Sequence, residues 1–494
     1  MQLPNGFKDY LLTTMREEVV EELERGLQGE PVVSIRMNGR RASSLQENGV
    51  GEPVPWCPDG RYLTERPVFA GDPLWHAGAY YVQEASSMFV AHVVSSIFHH
   101  PSSIIHPTSS LFHHPSSPSP ICLDLCAAPG GKSTLLRGLL PDNWLLISNE
   151  PIRSRAQVLA ENMAKWGHPN VIVTNAYASE IAQGRSLSPS LQERGLGGES
   201  VVGPLSLILA DVPCSGEGMM RKEAEAVAQW SPQLVADCAA LQRSIVKDIW
   251  PALMPGGILI YSTCTFNPEE DENNVEWIAR ELGADVLDIP IDPAWGILGD
   301  LRKDSKSPLP CYHFIPGRVR GEGFFCAVLR KYEDAKNADF IEESPTFSTN
   351  SIESPDAIFA DFIEKRESRT LKKKGKKGKD GKQKPPRTMA DWIRQQLPTL
   401  PTDMLDRPEP DRKTGQVPPI EARIELNLDD AFLYLRGESF TLPSDTPRGI
   451  VQVCFQGHRL GLMKNLGTRA NNLYPKEWRI RSSYIKPETL NIEL

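Results

Sequence analysis

The chain has 494 residues, 40% hydrophobic and 24% charged, with a formal net charge of −9. That length allows more than one core, and the acidic balance excludes a surface coated uniformly for nucleic acid while leaving room for local basic patches. No run approaches the length of a membrane span, Met1–Tyr10 has no apolar signal-type segment, and the nine cysteines are scattered without a C-x-x-C pair. A cytoplasmic protein with no membrane partner, no disulfide framework and no metal site is expected.

Residues 1–75 read as a separate α+β piece. Met15, Val19, Val20, Leu23 and Leu27 recur at helical spacing among Glu and Arg, which predicts an amphipathic helix ended near Gly26 to Gly29. Val32–Met37 reads as a strand. From Trp75 the chain passes Gln83-Glu84-Ala85-Ser86-Ser87 and enters a helix reaching about Val94. In residues 95–120, Phe98-His99-His100-Pro101-Ser102-Ser103 returns as Phe112-His113-His114-Pro115-Ser116-Ser117, and half of the ten histidines sit here. A metal-binding tract is one reading, but the prolines and the lack of a packing period favour a mobile surface insertion.

From Ile121 to about Arg330 strands (121–125, 145–149, 171–174, 205–210, 257–262, 323–329) alternate with helices (133–140, 152–166, 233–253, 268–282). The alternation predicts an α/β domain over 76–332, a parallel sheet with helices on both faces, carrying a second insertion at 182–204. Residues 333–390 read as a linker whose stretch 371–387 holds eight lysines and one arginine against Asp380. Such a run is a solvated tether, or a device that raises the on-rate for a polyanion. Residues 391–494 regain folded composition, and 464–481 mixes basic and aromatic residues as single-stranded RNA surfaces do.

The chain is organised around Leu123-Asp124-Leu125-Cys126-Ala127-Ala128-Pro129-Gly130-Gly131-Lys132-Ser133-Thr134. A strand, a glycine turn and a helix form the first unit of an open α/β sheet, whose ligands bind at the carboxyl ends of the strands. A phosphate loop would need a glycine five positions before Gly131, where Cys126 stands. The second strand ends at Glu150, where such folds hold ribose hydroxyls. The fourth and fifth end in Asp211-Val212-Pro213-Cys214-Ser215-Gly216-Glu217-Gly218 and Ser262-Thr263-Cys264-Thr265-Phe266-Asn267-Pro268. Two cysteines in polar, ligand-side loops are unlike inert core cysteines. Asn267, Pro268 and Glu270 mark a helix start that would favour a thiolate at Cys264, although Glu269, Glu270 and Asp271 oppose it.

These motifs resemble the Sun-type RNA cytosine-5 methyltransferases. The likeness is carried by Asp124-x-Cys126-Ala127-Ala128-Pro129-Gly130-Gly131-Lys132, by Asp211-x-Pro213-Cys214-Ser215-Gly216-x-Gly218 and by Ser262-Thr263-Cys264-Thr265. Ser34-Ile35-Arg36-Met37-Asn38 and the Gln83–Ser87 stretch are similar to the bacterial RsmF-like branch, which modifies small-subunit ribosomal RNA. The C-terminal segment is similar to its PUA-like RNA-binding module. The resemblance implies a Rossmann-like, S-adenosylmethionine-dependent domain between two RNA-binding pieces, acting as a monomer on ribosomal RNA or the subunit, with no DNA partner. It makes Cys264 the nucleophile, Asp211 the base-binding acid and Cys214 the product-release cysteine. Lys132 would lie near donor and base, with the methyl donor held by Cys126, Ala127, Ala128, Pro129, Gly130, Gly131, Lys132, Glu150 and Asp211. The family's acid after the third strand is missing from Thr174-Asn175-Ala176-Tyr177, so Asn175 is left to meet the adenine amine.

Overall fold

The computed structural model describes residues 3–41, 50–99, 120–168, 170–183, 205–303, 305–333 and 418–481. The basic run 371–387, Trp392 and most of both insertions lie outside the described residues.

Strands β1 (Val33–Met37), β2 (Glu52–Val54), β3 (Cys57–Leu63) and β4 (Tyr80–Val82) form an antiparallel sheet in the order β2-β3-β1-β4. Val82 pairs with Ile35, so this sheet runs past residue 75, where the sequence pattern ends the opening piece. The amphipathic helix is Glu17–Leu27 and buries Val19, Val20, Leu23 and Leu27. Met15 precedes it and bridges to Arg302. A further helix, Phe7–Thr14, had no strong apolar period to announce it. It sets Phe7 edge-on to Trp230 at 4.9 Å, tying the N-terminus to the central domain.

The central sheet contains β5 (Ile121–Asp124), β6 (Leu145–Asn149), β7 (Val171–Thr174), β8 (Leu205–Asp211), β9 (Leu253–Thr263), β10 (Ala284–Leu287), β11 (Tyr312–Phe314) and β12 (Phe324–Lys331). Its order is β10-β12-β9-β8-β5-β6-β7, with β11 beside β12. Leu207 and Leu209 of β8 join one core and Ile208 and Ala210 the other, and β9 repeats this with Ile258, Ile260 against Leu259, Tyr261. A strand apolar on both faces must be covered on both, which is what the flanking helices do. Strands β5 to β9 are parallel, as the alternation predicts, but β12 lies antiparallel between β9 and β10. Phe324 to Leu329 are all buried, so their pattern carries no sign of strand direction. The order reverses at β5, between β6 and β8, and opens a crevice at the carboxyl ends.

Three local expectations are corrected. The helix Phe89–His99 continues beyond Val94, and Phe98 meets Trp144 edge-on at 5.1 Å, so residues 95–99 are part of the helix and not of an insertion. The helix Pro232–Ile249 stops short of 253 because Pro251, with its fixed ring, sits in the 3-10 turn that follows. The helix expected from 268 begins at Glu272. Asn267 does accept from Glu270 N at 3.0 Å, but in a separate turn, so Cys264 is not at a helix N-terminus.

The C-terminal module has strands β13 (Ile420–Glu425), β14 (Gly449–Phe455), β15 (His458–Asn465) and β16 (Ala470–Asn472) paired in that order, with the helix Leu428–Arg436. Tyr474 and Trp478, expected on a surface facing RNA, are buried. Tyr474 Oη lies 2.9 Å from His76 Nδ1, and both aromatics share a core with Leu74, Ala77 and Tyr80. They dock the module onto the opening sheet.

Candidate active site

Each strand end along the crevice delivers one part of the site. After β5 the loop is held by Ala127 N donating to Asn149 O (2.7 Å), so the turn is fastened to β6. Gly130 has φ 115°, in the left-handed region, and a Cβ there would stand 3.3 Å from Leu159 Cδ1. Only glycine brings the backbone round this turn unstrained. The helix Gly131–Leu139 then starts with backbone amides that have no partner within the helix. From the opening piece the buried Arg36 donates to Thr134 Oγ1 (2.6 Å), Gly131 O (3.2 Å) and Gln83 Oε1 (2.8 Å). The Arg36 and Gln83 stretches therefore brace the glycine loop from behind, a role that no local pattern reveals.

Beneath the loop, Asp124 is buried and accepts from Ser133 Oγ at 2.6 Å. Burial pushes it up to about 7, opposed by that hydrogen bond and aided by the charges of Asp211 and Glu150. The folded value lies above the unfolded one. Asp124 therefore contributes stability that is full below about pH 4 and is lost as pH rises through about 7. Urea unfolding of wild type at pH 5 and 8 is expected to show most of this loss, up to about 2.5 kcal/mol, and Asp124→Asn to flatten it. An equal slope in both proteins would show that Asp124 is ionised throughout.

Glu150, at the end of β6, is fully buried. It accepts from Ile152 N (3.1 Å) and pairs with Arg155 at 3.5 Å. Asn175 donates its amide nitrogen to the carbonyls of Glu150 (2.7 Å) and Pro151 (2.8 Å), so its donor group fixes the turn after β6. Its amide oxygen is the group it could offer an adenine amine. Between these strand ends lies a pocket lined by Cys126, Asn149, Pro151, Ala176 and Tyr177. Glycine cradle and buried acid at adjoining strand ends fit a nucleoside-bearing cofactor.

Across the crevice Lys132 Nζ lies 2.8 Å from Asp211 Oδ2, and Asp211 Oδ1 accepts from Ser262 Oγ at 2.8 Å. Burial works against the Lys132 charge, but Asp211 and Asp124 outweigh it and hold the amine above its ordinary value. The two motif cysteines meet: Cys214 Sγ and Cys264 Sγ lie 2.7 Å apart, and Cys264 N donates to Cys214 Sγ at 3.3 Å. Both are free thiols, Cys214 buried and Cys264 partly open to solvent. The contact with Cys264 and burial drive Cys214 well above the usual thiol range. All the residues expected at the site therefore converge on one crevice.

Glu217 and Gln242 also hold the cysteine loops, a role that the sequence pattern does not mark. Glu217, buried in the loop after β8, accepts from Thr265 Oγ1 (2.6 Å), Phe266 N (3.0 Å), Asn267 N (3.2 Å), Asn267 Nδ2 (3.0 Å) and Trp230 Nε1 (2.9 Å). Gln242 donates to Pro213 O (2.9 Å) and to Glu270 Oε2 (2.7 Å), which also accepts from Ser215 N (3.0 Å). A Cβ on Gly218 would stand 2.6 Å from Gly323 O and 2.9 Å from Cys264 O, so glycine alone lets the loops close.

Family models match three parts of the chain. The N-terminal domain of 16S rRNA methyltransferase RsmF matches residues 3–85, 16S rRNA methyltransferase RsmB/F matches 114–330, and the methyltransferase RsmF PUA domain matches 421–480. Ribosomal RNA small subunit methyltransferase F of Pectobacterium carotovorum is 33% identical over 287 residues, covering 57% of this chain and 51% of that protein. The namesake from Shewanella oneidensis is 29% identical over 471 residues, 90% of each. The chain thus spans about half the length of the Pectobacterium relative it matches and nearly all of the Shewanella one. The crystal structure of PH0851 shares the fold, with a TM-score of 0.51 at 21% identity over 67% of this chain and 66% of that one. The chain belongs to the RsmB/F family of 16S rRNA methyltransferases, with an N-terminal domain and a PUA domain of the RsmF type.

Proposed function

We propose that this chain methylates C5 of a cytosine in small-subunit ribosomal RNA, with S-adenosylmethionine as donor and a covalent bond from Cys264 to C6 as the intermediate. The observation that carries this reading is the pair of thiols 2.7 Å apart, beside the Lys132–Asp211 pair, at adjoining strand ends. Pure RNA binding needs no second thiol, and a nucleotide hydrolase needs neither.

The donor would rest on Cys126, Ala127, Ala128, Pro129, Gly130 and Gly131, with its ribose hydroxyls on Glu150. Its adenine would enter the pocket of Pro151 and Tyr177, near Asn175. When bound, S-adenosylmethionine supplies an electrophilic methyl group. C5 of cytosine is too poor a nucleophile to take it unaided. The Cys264 thiolate adds to C6, and the electron pair of the C5–C6 double bond moves into the ring toward N3. Asp211 binds the base edge, and a proton from Lys132, 2.8 Å behind it, passes through Asp211 to N3, so that C5 becomes an enamine carbon.

Cys214 acts second. Its contact with Cys264 is the largest cause keeping it protonated. Once Cys264 sulfur is bonded to C6, Cys214 passes its thiol proton to Lys132, left neutral by the protonation of N3, and as the thiolate it accepts the C5 proton, while N3 later releases its own proton to water. The C–H electron pair then restores the C5–C6 double bond and expels the Cys264 thiolate.

Bisulfite sequencing of small-subunit ribosomal RNA tests the reading. One protected cytosine is expected to disappear in a deletion strain and return with the wild-type chain but not with Cys264→Ala. Calorimetry is expected to show binding of S-adenosylmethionine. Binding of ATP with magnesium instead, or unchanged protection in the deletion strain, would overturn the assignment.

A further inference from the structure

The outer side of the glycine loop opens onto a feature that the chemistry above does not use. Tyr81 Oη and Asn162 Nδ2 both donate to Pro129 O, at 3.1 Å and 2.8 Å. From these two residues a trough of about 410 Å³ extends between the loop 66–70 and the helix Arg153–Trp166. Phe69, Trp75 and Tyr81 supply aromatic walls, Arg66 supplies an exposed positive charge, and Lys165, largely buried and beside Glu161, supplies a second; no carboxylate is among the described lining residues. In a chain of net charge −9 that selection of sign is notable.

The cations are already set against aromatic faces. Arg66 lies 5.7 Å from the Phe69 ring centroid and Lys165 Nζ 4.5 Å from that of Trp75. At the far end Lys165 Nζ is also 5.4 Å from the Trp478 ring, in the C-terminal module. The rim carries Val68, 45% exposed. The trough thus starts at the loop assigned to the donor, and Lys165 of its lining reaches Trp478 in the module that matches a PUA domain.

We propose that this trough is a subsite for one unpaired nucleotide of the substrate RNA, its base stacked among Phe69, Trp75 and Tyr81 and its phosphates against Arg66 and Lys165. Aromatic faces with interleaved cations in the lining are what a single-stranded nucleotide requires, since stacking serves any base and the cations neutralise the backbone. An apolar peptide would gain little from the two cations, and an acidic one little from three aromatic walls. The inference rests on the RNA-methylation reading and adds to it a strand path from the reacting cytosine toward the C-terminal module.

The test is fluorescence anisotropy of the full chain with a labelled single-stranded RNA of about 12 nucleotides, as a function of salt. Phe69→Ala is expected to weaken binding about 5- to 150-fold with the salt slope unchanged. Arg66→Gln is expected to make the slope shallower by about one. Val68→Glu, a change at an exposed position, is expected to weaken binding by repelling phosphate, and it keeps the test open if Phe69→Ala fails to fold. Affinity for S-adenosylmethionine should be unchanged in all three. Wild-type RNA affinity in Val68→Glu and in folded Phe69→Ala would overturn the subsite and leave the trough to a protein or to nothing. A wild-type chain that binds the methyl donor but leaves ribosomal RNA unmethylated would instead overturn the function on which the subsite rests.

Discussion

Cys264→Ala is expected to lose methyl transfer by about 10⁴-fold or more, whereas Cys214→Ala is expected to stall after it. Without a thiolate at C6 there is no enamine, so the first variant never activates C5. In the second variant addition and methyl transfer remain possible, but the base that removes the C5 proton is gone. The expected product is a protein–RNA adduct that survives denaturing electrophoresis and disappears on nuclease treatment. The double variant is expected to form none. If the thiols were only packing groups, as most buried cysteines are, each alanine would lower stability modestly and no variant would give an adduct. The structure argues against that alternative through Cys264, which is partly open to solvent at the crevice while Cys214 lies behind it.

Glu217→Ala is expected to be the most disruptive single change outside the reacting groups. The carboxylate gathers five donors from residues 230 and 265–267, all buried with it. A buried donor left without an acceptor costs about 1–3 kcal/mol. Even with water entering the space, a loss of at least about 3 kcal/mol is expected in urea unfolding. The loops carrying Cys214 and Cys264 would also separate, so residual folded protein should show a lower kcat, with its affinity for the methyl donor retained. Glu217→Gln keeps the shape but gives up one acceptor oxygen, so an intermediate loss is expected. Activity unchanged in folded Glu217→Ala would show that the loops hold their register without it.

The strand ends were legible in the chain because their chemistry is local. Asp124 to Lys132, Asp211 to Gly218 and Ser262 to Thr265 each sit beside an apolar run that marks a strand, and a parallel sheet brings those ends together. What stayed hidden was long-range. Glu217 occupies the unspecified position between Gly216 and Gly218, and its partners lie up to 50 residues away. Arg36 reaches Thr134 across 98 residues. Tyr474 and Trp478 read as a surface because they stand among basic residues, yet the burial of a side chain depends on what packs over it. Here that is His76 and Lys165 from earlier in the chain. The helix start at Glu272 was misplaced because Asn267 and Glu270 do form a cap-like bond, in a turn that serves the Glu217 and Gln242 network instead.

The central claim is that Cys264 forms the bond to the base. Peptide mapping by mass spectrometry of the adduct from Cys214→Ala, after nuclease digestion, tests it most directly. A methylated cytidine nucleotide is expected on the peptide that contains Cys264. Absence of any adduct from Cys214→Ala, together with an adduct on Cys214 in the Cys264→Ala protein, would contradict it and place the nucleophile in the Asp211-Val212-Pro213-Cys214 loop.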